Sequence, residues 1–212
     1  MFLWSLDQTN NNVRNWSKRC KCLFLHLKLD YLCDHTSYFH VRNVVNDLSE
    51  CLHIENVNKW HLELARESAH RGQGKNKLRT YRQFKTEYKT EQYVSKPMAV
   101  RHRRALALFR CGVAPIRIET GRYERNRLTP EQRVCFLCTD FIEDEAHVIL
   151  DCPLYEDLRE NLIQTATDAN PNFKDFSASS KLGFILGDPI IYNVTARILH
   201  LILERRKLLV FK

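Results

Sequence analysis

From residue 135 to residue 152 the chain reads Cys-Phe-Leu-Cys, eight residues, His147, four residues, Cys152, and then Pro153. No other stretch restricts the fold as much. Zinc binds four cysteine or histidine ligands tetrahedrally, and a two-residue gap between cysteines lets one tight turn aim both sulfurs at a point. The eight-residue spacer brings the chain back to present His147 and Cys152. A full set of four protein ligands is the mark of a structural site, because a catalytic zinc keeps a position open for water. Four unrelated residues in a chain of eight cysteines is the competing reading. Order and spacing favour Zn2+ held by Cys135, Cys138, His147 and Cys152. The flanks agree. Glu143–Leu150 reads as a short helix carrying His147, with acidic residues at its N-terminus. Pro153 suits the first position of a helix running to Thr167, so Cys152 is expected at the N-cap, where partial positive charge favours a thiolate. Thr129-Pro-Glu-Gln132 has the capping-box pattern.

This stretch resembles the zinc-binding region that follows the polymerase in reverse transcriptases of non-LTR retrotransposons. The resemblance lies in the Cys-Cys-His-Cys order and spacing, in the acidic residues just before His147, and in Cys152-Pro153-Leu154-Tyr155. Gly74–Arg82 and Arg110–Tyr123 are similar to retroelement-derived chains of the same kind. The likeness extends over residues 56–210 and is sharp from Arg101 to Leu158. It implies the tail of a polyprotein, without its polymerase or its nuclease.

Elsewhere the chain reads as helices. Apolar positions repeat every three or four residues over Thr36–Leu52, Asn56–His70, Leu78–Tyr88 and Pro97–Cys111, the last stopped by Gly112. The same spacing recurs over Pro153–Thr167 (Leu154, Leu158, Leu162, Ile163), Ser177–Gly187 and Pro189–Leu209 (from Ile190 to Leu208). Gly72-Gln-Gly74 is a hinge, and Ile116-Arg-Ile118 alternates like a short strand. Glu204-Arg-Arg-Lys207 complements the dipole of the last helix. The expected fold is mainly α: an irregular multi-helix domain with an inserted CCHC zinc knuckle. The expected segments are an N-terminal helical one (1–70), a basic one (71–133), and the knuckle with its C-terminal helices (134–212).

Charge is uneven. Residues 71–133 carry 17 Lys/Arg against 5 Asp/Glu, a net of +12, whereas the remainder has a net of −4. Aromatics are interleaved with the basic residues, as in Tyr81-Arg82-Gln-Phe84-Lys85 and Arg122-Tyr123-Glu-Arg125. Cations neutralise phosphate and rings stack on unpaired bases, so RNA or DNA is the expected partner. Lys75, Lys77, Arg79, Arg82, Arg101, Arg103 and Arg104 are the candidate contacts. A solvated basic face over an aromatic core is the plainer alternative. On that reading Arg117 and Arg122 pair with Glu119 and Glu124, and the chain is a zinc-stabilised scaffold, a protein-contact module or a decayed element fragment.

Several classes are disfavoured by the sequence. Met1-Phe-Leu-Trp-Ser-Leu6 meets Asp7 too soon for a signal peptide, no apolar run spans a bilayer, and an intracellular, reducing compartment, nucleus or cytoplasm, is expected. Cys20, Cys22 and Cys33, with His35 nearby, read as buried free thiols rather than a second zinc site, since C-x-C on a helix points to nearly opposite faces. The polymerase Tyr-x-Asp-Asp is missing, Asp188-Pro189 reverses the nuclease Pro-Asp, and no hydrolase motif occurs. The expectation is a non-enzyme with no small-molecule substrate.

Overall fold

The computed structural model describes residues 22–26, 28, 41–69, 80–139 and 141–210, with the backbone alone at 41–45, 47 and 66–69. Lys75, Lys77, Arg79, Cys20, Cys33, His35 and the Gly72-Gln-Gly74 hinge lie outside the described residues. Those residues form helices joined by turns, with no strand among them, so the mainly α, multi-helix expectation holds. Contacts divide the chain into two units, Met1–Arg66 and Glu67–Lys212.

In the first unit, a helical turn at 22–26 precedes α1 (Val41–Ala69). Two helices broken near residue 53 were expected here; one helix of 29 residues is found. The joint, His53-Ile-Glu-Asn56, contains neither glycine nor proline, so nothing in the backbone ends the helix. Phe24 is buried and Cys22, expected as a buried thiol, is exposed two residues before it; His26 Nε2 lies 2.9 Å from Glu55 Oε1.

The second unit opens with two single turns, α2 (Tyr81–Phe84) and α3 (Gln92–Ser95), followed by α4 (Val100–Cys111) and the turn α5 (Arg117–Thr120). The expected helix through Tyr88 stops at Phe84. The Phe84 carbonyl, which a continuing helix would bond to Tyr88, instead accepts from Arg110 Nη2 at 3.4 Å. Ile116-Arg-Ile118 is not a strand: Ile116 precedes α5, Ile118 lies within it, and both are buried. Gly112 ends α4 with φ 68°. Its N–H bonds Phe109 O at 3.1 Å and Val113 N–H bonds Leu108 O at 3.0 Å, the paired bonds of a Schellman motif.

After the cysteine-rich loop come α6 (Glu156–Ala169), α7 (Ala178–Gly187) and α8 (Tyr192–Val210). The Ser177 hydroxyl caps α7 by accepting from Ser180 N–H at 3.2 Å. Proline 189 opens a turn rather than the helix, and Ile190 faces solvent, as does Leu154 ahead of α6. Helix α8 packs along α4 and against α6 and α7. Leu106 and Phe109 of α4 meet Leu162, Ile185, Leu186, Leu199 and Ile202 in one fully buried core. No single helix among the described residues is long and apolar enough to cross a membrane; α7 and α8 reach that length only as a pair bent by 106°.

Arg110 is part of that core. Its guanidinium donates to Glu91 Oε2 at 2.7 Å, to the Tyr192 hydroxyl at 3.2 Å and to the Leu186 carbonyl, and it lies 4.9 Å from the Phe84 ring centre and 5.3 Å from that of Tyr93. Much of the basic excess is internal in this way. Arg122 pairs with Glu119 at 2.9 Å, Arg117 pairs with Glu124, and Arg133 is buried with Nη1 donating to Ile118 O at 2.9 Å.

Candidate metal centre

The loop is built by a small number of backbone bonds. Val134 bridges Ile142 in antiparallel fashion. Cys135 N–H donates to Phe141 O at 2.8 Å, and Glu143 N–H donates to Arg133 O at 2.9 Å. Between them the chain turns through Phe136-Leu-Cys138, and Thr139, at φ 63°, returns its N–H to Cys135 O at 2.9 Å. Upstream, Gln132 Oε1 accepts from Thr129 N–H at 3.0 Å, the reciprocal half of the expected capping box, on a single 3-10 turn.

His147 and Cys152 are brought together by an irregular helix. Asp144 Oδ1 accepts from His147 N–H at 2.8 Å, starting the turn as a helix cap does. From His147 to Asp151 the backbone is π-helical, closed by Cys152 N–H on His147 O at 2.7 Å. Residues five apart on an α-helix point about 140° from each other. The wider π turn narrows that angle, so an H-x4-C spacing converges. π turns are rare and concentrate at functional sites. The short helix expected at 143–150 is present, but in π form from His147 to Asp151, the turn that suits the ligand spacing.

The ligand atoms of Cys135, Cys138, His147 and Cys152 all lie within 4.8 Å of one another, close enough to hold one metal ion. Cys138 Sγ is 3.3 Å from His147 Nε2, which makes Nε2 the ring nitrogen on the cluster side. The opposite nitrogen, Nδ1, is buried without a hydrogen-bond partner. Cys135 and Cys152 are fully buried, and His147 nearly so. Burial pushes the Cys135 thiol up to about 12, although the amides of Leu137 and Cys138 bond to its sulfur and pull the other way. Cys152 is raised for the same reason against the Leu154 amide, and burial lowers His147. Cys152 stands, as expected, at the N-cap of the 3-10 turn Pro153–Tyr155 ahead of α6, where the Leu154 amide bonds its sulfur and favours the thiolate while burial alone favours the thiol. Three thiols and an imidazole in an apolar pocket, with amides already on the sulfurs, match what a soft dication needs, since the ion supplies the charge that makes thiolates stable there.

Glu143 fixes the loop to the helices. Fully buried, it accepts from Arg206 Nε at 2.7 Å and Nη2 at 2.8 Å, a bidentate pair with the end of α8, and from Arg117 N–H at 2.7 Å. Its own carbonyl accepts from Ile118 N–H at 3.0 Å. Arg205 pairs with Asp157 Oδ2 at 2.7 Å. The tertiary use of Arg205 and Arg206 was missed from sequence, where they read only as complements to the helix dipole.

The candidate nucleic-acid contacts separate. Arg101 and Arg104, three residues apart, share the exposed side of α4. Arg103 is half-buried, with Nη2 on Lys96 O at 2.8 Å, and Arg82 is half-buried. Among the aromatics, Phe84 is taken by Arg110, and the exposed Tyr123 donates its hydroxyl to Glu119 Oε1 at 2.9 Å. Arg101 and Arg104 line a cleft of about 810 Å³ between α4, α8 and the cysteine loop, together with Lys207, His200 and Phe136. Phe136, between the first two cysteines, is 50% exposed and carries the Arg117 guanidinium 3.9 Å from its ring centre. Its only sequence signal was a large aromatic inside a turn too short to bury it. No protein-family model, curated protein or solved structure matches the chain.

Proposed function

We propose that this chain is a zinc-stabilised, non-catalytic nucleic-acid-binding module, of the kind that follows the polymerase in reverse transcriptases of non-LTR retrotransposons. The observation that carries the reading is the gathering of Cys135, Cys138, His147 and Cys152 within 4.8 Å, beside a cleft bordered by Arg101, Arg104 and Lys207. Three sulfurs and one nitrogen suit zinc above harder divalent ions. Four protein ligands leave no position for a reacting water, which favours a structural role. Such thiols keep their metal in a reducing, intracellular setting. When bound, the ion supplies the charge that holds three thiolates in the core and closes the loop; Glu143 and Arg206 then tie that loop to α8.

The basic surface is the means of binding. Each phosphate neutralised releases condensed counterion, so affinity should fall steeply with salt. A salt titration on one labelled RNA and one duplex DNA tests this. Replacing Arg101 and Arg104 by Ala should weaken both and reduce the log–log slope by about 0.7 per lost contact on single strands. The internal pairing of Arg110, Arg117, Arg122 and Arg133 favours a second reading, a zinc-stabilised scaffold for protein contact. Absence of binding at low salt would select it.

A further inference from the structure

The cleft between α4, α8 and the cysteine loop has a composition that plain phosphate binding does not require. Its rim is cationic: Arg101, Arg104 and Lys207 are exposed and take part in no ion pair among the described residues. Glu204 is the opposing charge on the rim, since Glu124 is paired with Arg117. Between the cations the lining is largely apolar, with Leu108 and Leu203 half-buried and the Phe136 ring half exposed. One side of that ring is covered by Arg117, which is paired with Glu124 and itself lines the cleft, so a stacked base must use the other side. The ring is a supported aromatic surface at the edge of an apolar hollow, rather than a side chain free to turn away.

From this we infer that the cleft takes an unstacked base of a single-stranded nucleic acid: the base lies on Phe136 over the apolar lining, and its flanking phosphates meet Arg101, Arg104 and Lys207. This inference rests on the nucleic-acid reading above and narrows it. A duplex keeps its base faces stacked on one another and can offer the cleft only phosphate and sugar. A single strand offers both a charge and an apolar face, and the cleft has a counterpart for each. Stacking on Phe136 is itself tolerant of base identity, since every base has a π-face.

The test compares a labelled single-stranded oligoadenylate of about ten nucleotides with an abasic oligomer of the same length, using the zinc-loaded full chain under reducing conditions. The oligoadenylate should bind about five- to 150-fold more tightly, the range given by one stacked base. Phe136→Ala should remove that difference while leaving the zinc content and the abasic affinity unchanged. Phe136→Tyr should restore it. Arg101→Ala with Arg104→Ala should weaken both oligomers together. Equal affinity of the wild type for the two oligomers overturns the base site but leaves the nucleic-acid reading standing. A difference that persists in Phe136→Ala overturns the base site in the same way. No binding of either oligomer at low salt overturns both. Loss of zinc in Phe136→Ala would make Phe136→Tyr the deciding variant, and failure of that variant to prefer oligoadenylate counts against the site.

Discussion

Replacing Arg206 by Met should be among the most damaging single changes in the second unit. Arg206 supplies two of the three side-chain or backbone donors on the Glu143 carboxylate, at 2.7 and 2.8 Å; the third is Arg117 N–H at 2.7 Å. Glu143 has no solvent exposure, so the variant leaves a carboxylate with one donor and no water. Removing one partner of a buried pair costs about 3–5 kcal/mol. Urea unfolding of the zinc-loaded protein should therefore show a midpoint lowered by at least about 1 M with the slope retained. Adding Glu143→Leu should recover part of the loss, leaving about 1–3 kcal/mol for the orphaned Arg117 N–H. A loss below about 1 kcal/mol for Arg206→Met, or a double variant worse than the single one, would refute this account of the pair.

Arg110→Lys should cost about 2–3 kcal/mol in the same urea assay, since a lysine cannot reach Glu91, Tyr192 and the Leu186 carbonyl together or stack on Phe84. Gly112→Ala should cost about 1–2 kcal/mol, because φ 68° puts a Cβ in the left-handed region; an unchanged midpoint would mean that α4 can end otherwise. Metal affinity should rise with pH, approaching about three log units per pH unit, as the ion must displace protons from three thiols. Burial raises Cys135 to about 12 and also raises Cys152, while His147 is lowered and is already neutral at pH 7. Competition with a chromophoric chelator between about pH 6 and 8 measures this, and a flat profile would contradict it.

The Cys/His cluster was legible in the sequence because its determinants are local: two sulfurs on one turn, and His147 and Cys152 on another. The π turn was not, since helical spacing cannot announce a closure that the ligands themselves demand. Helices α4, α7 and α8 were legible from apolar spacing and from Gly112 and Ser177. Leu78–Tyr88 misled: the helix stops at Phe84, whose carbonyl meets Arg110, 26 residues away, a contact that nothing local announces. Ile116 and Ile118 alternated like a strand, yet both are buried around a single helical turn. Glu143 looked like a helix-start acid, and nothing local links it to Arg206, 63 residues on. The basic segment overstated its free charge for the same reason. A composition count cannot separate Arg101 and Arg104, which are exposed, from Arg110 and Arg133, which are buried.

The coordination shell formed when zinc is added bears most directly on the whole account. X-ray absorption at the zinc edge of protein refolded with zinc under reducing conditions should show one zinc per chain. Its shell should hold three sulfurs at about 2.3 Å and one nitrogen at about 2.0–2.1 Å. Cys138→Ser should reduce the sulfur count by one. A shell dominated by oxygen or nitrogen, or protein that retains no zinc, would contradict the assignment of Cys135, Cys138, His147 and Cys152 as a structural metal centre.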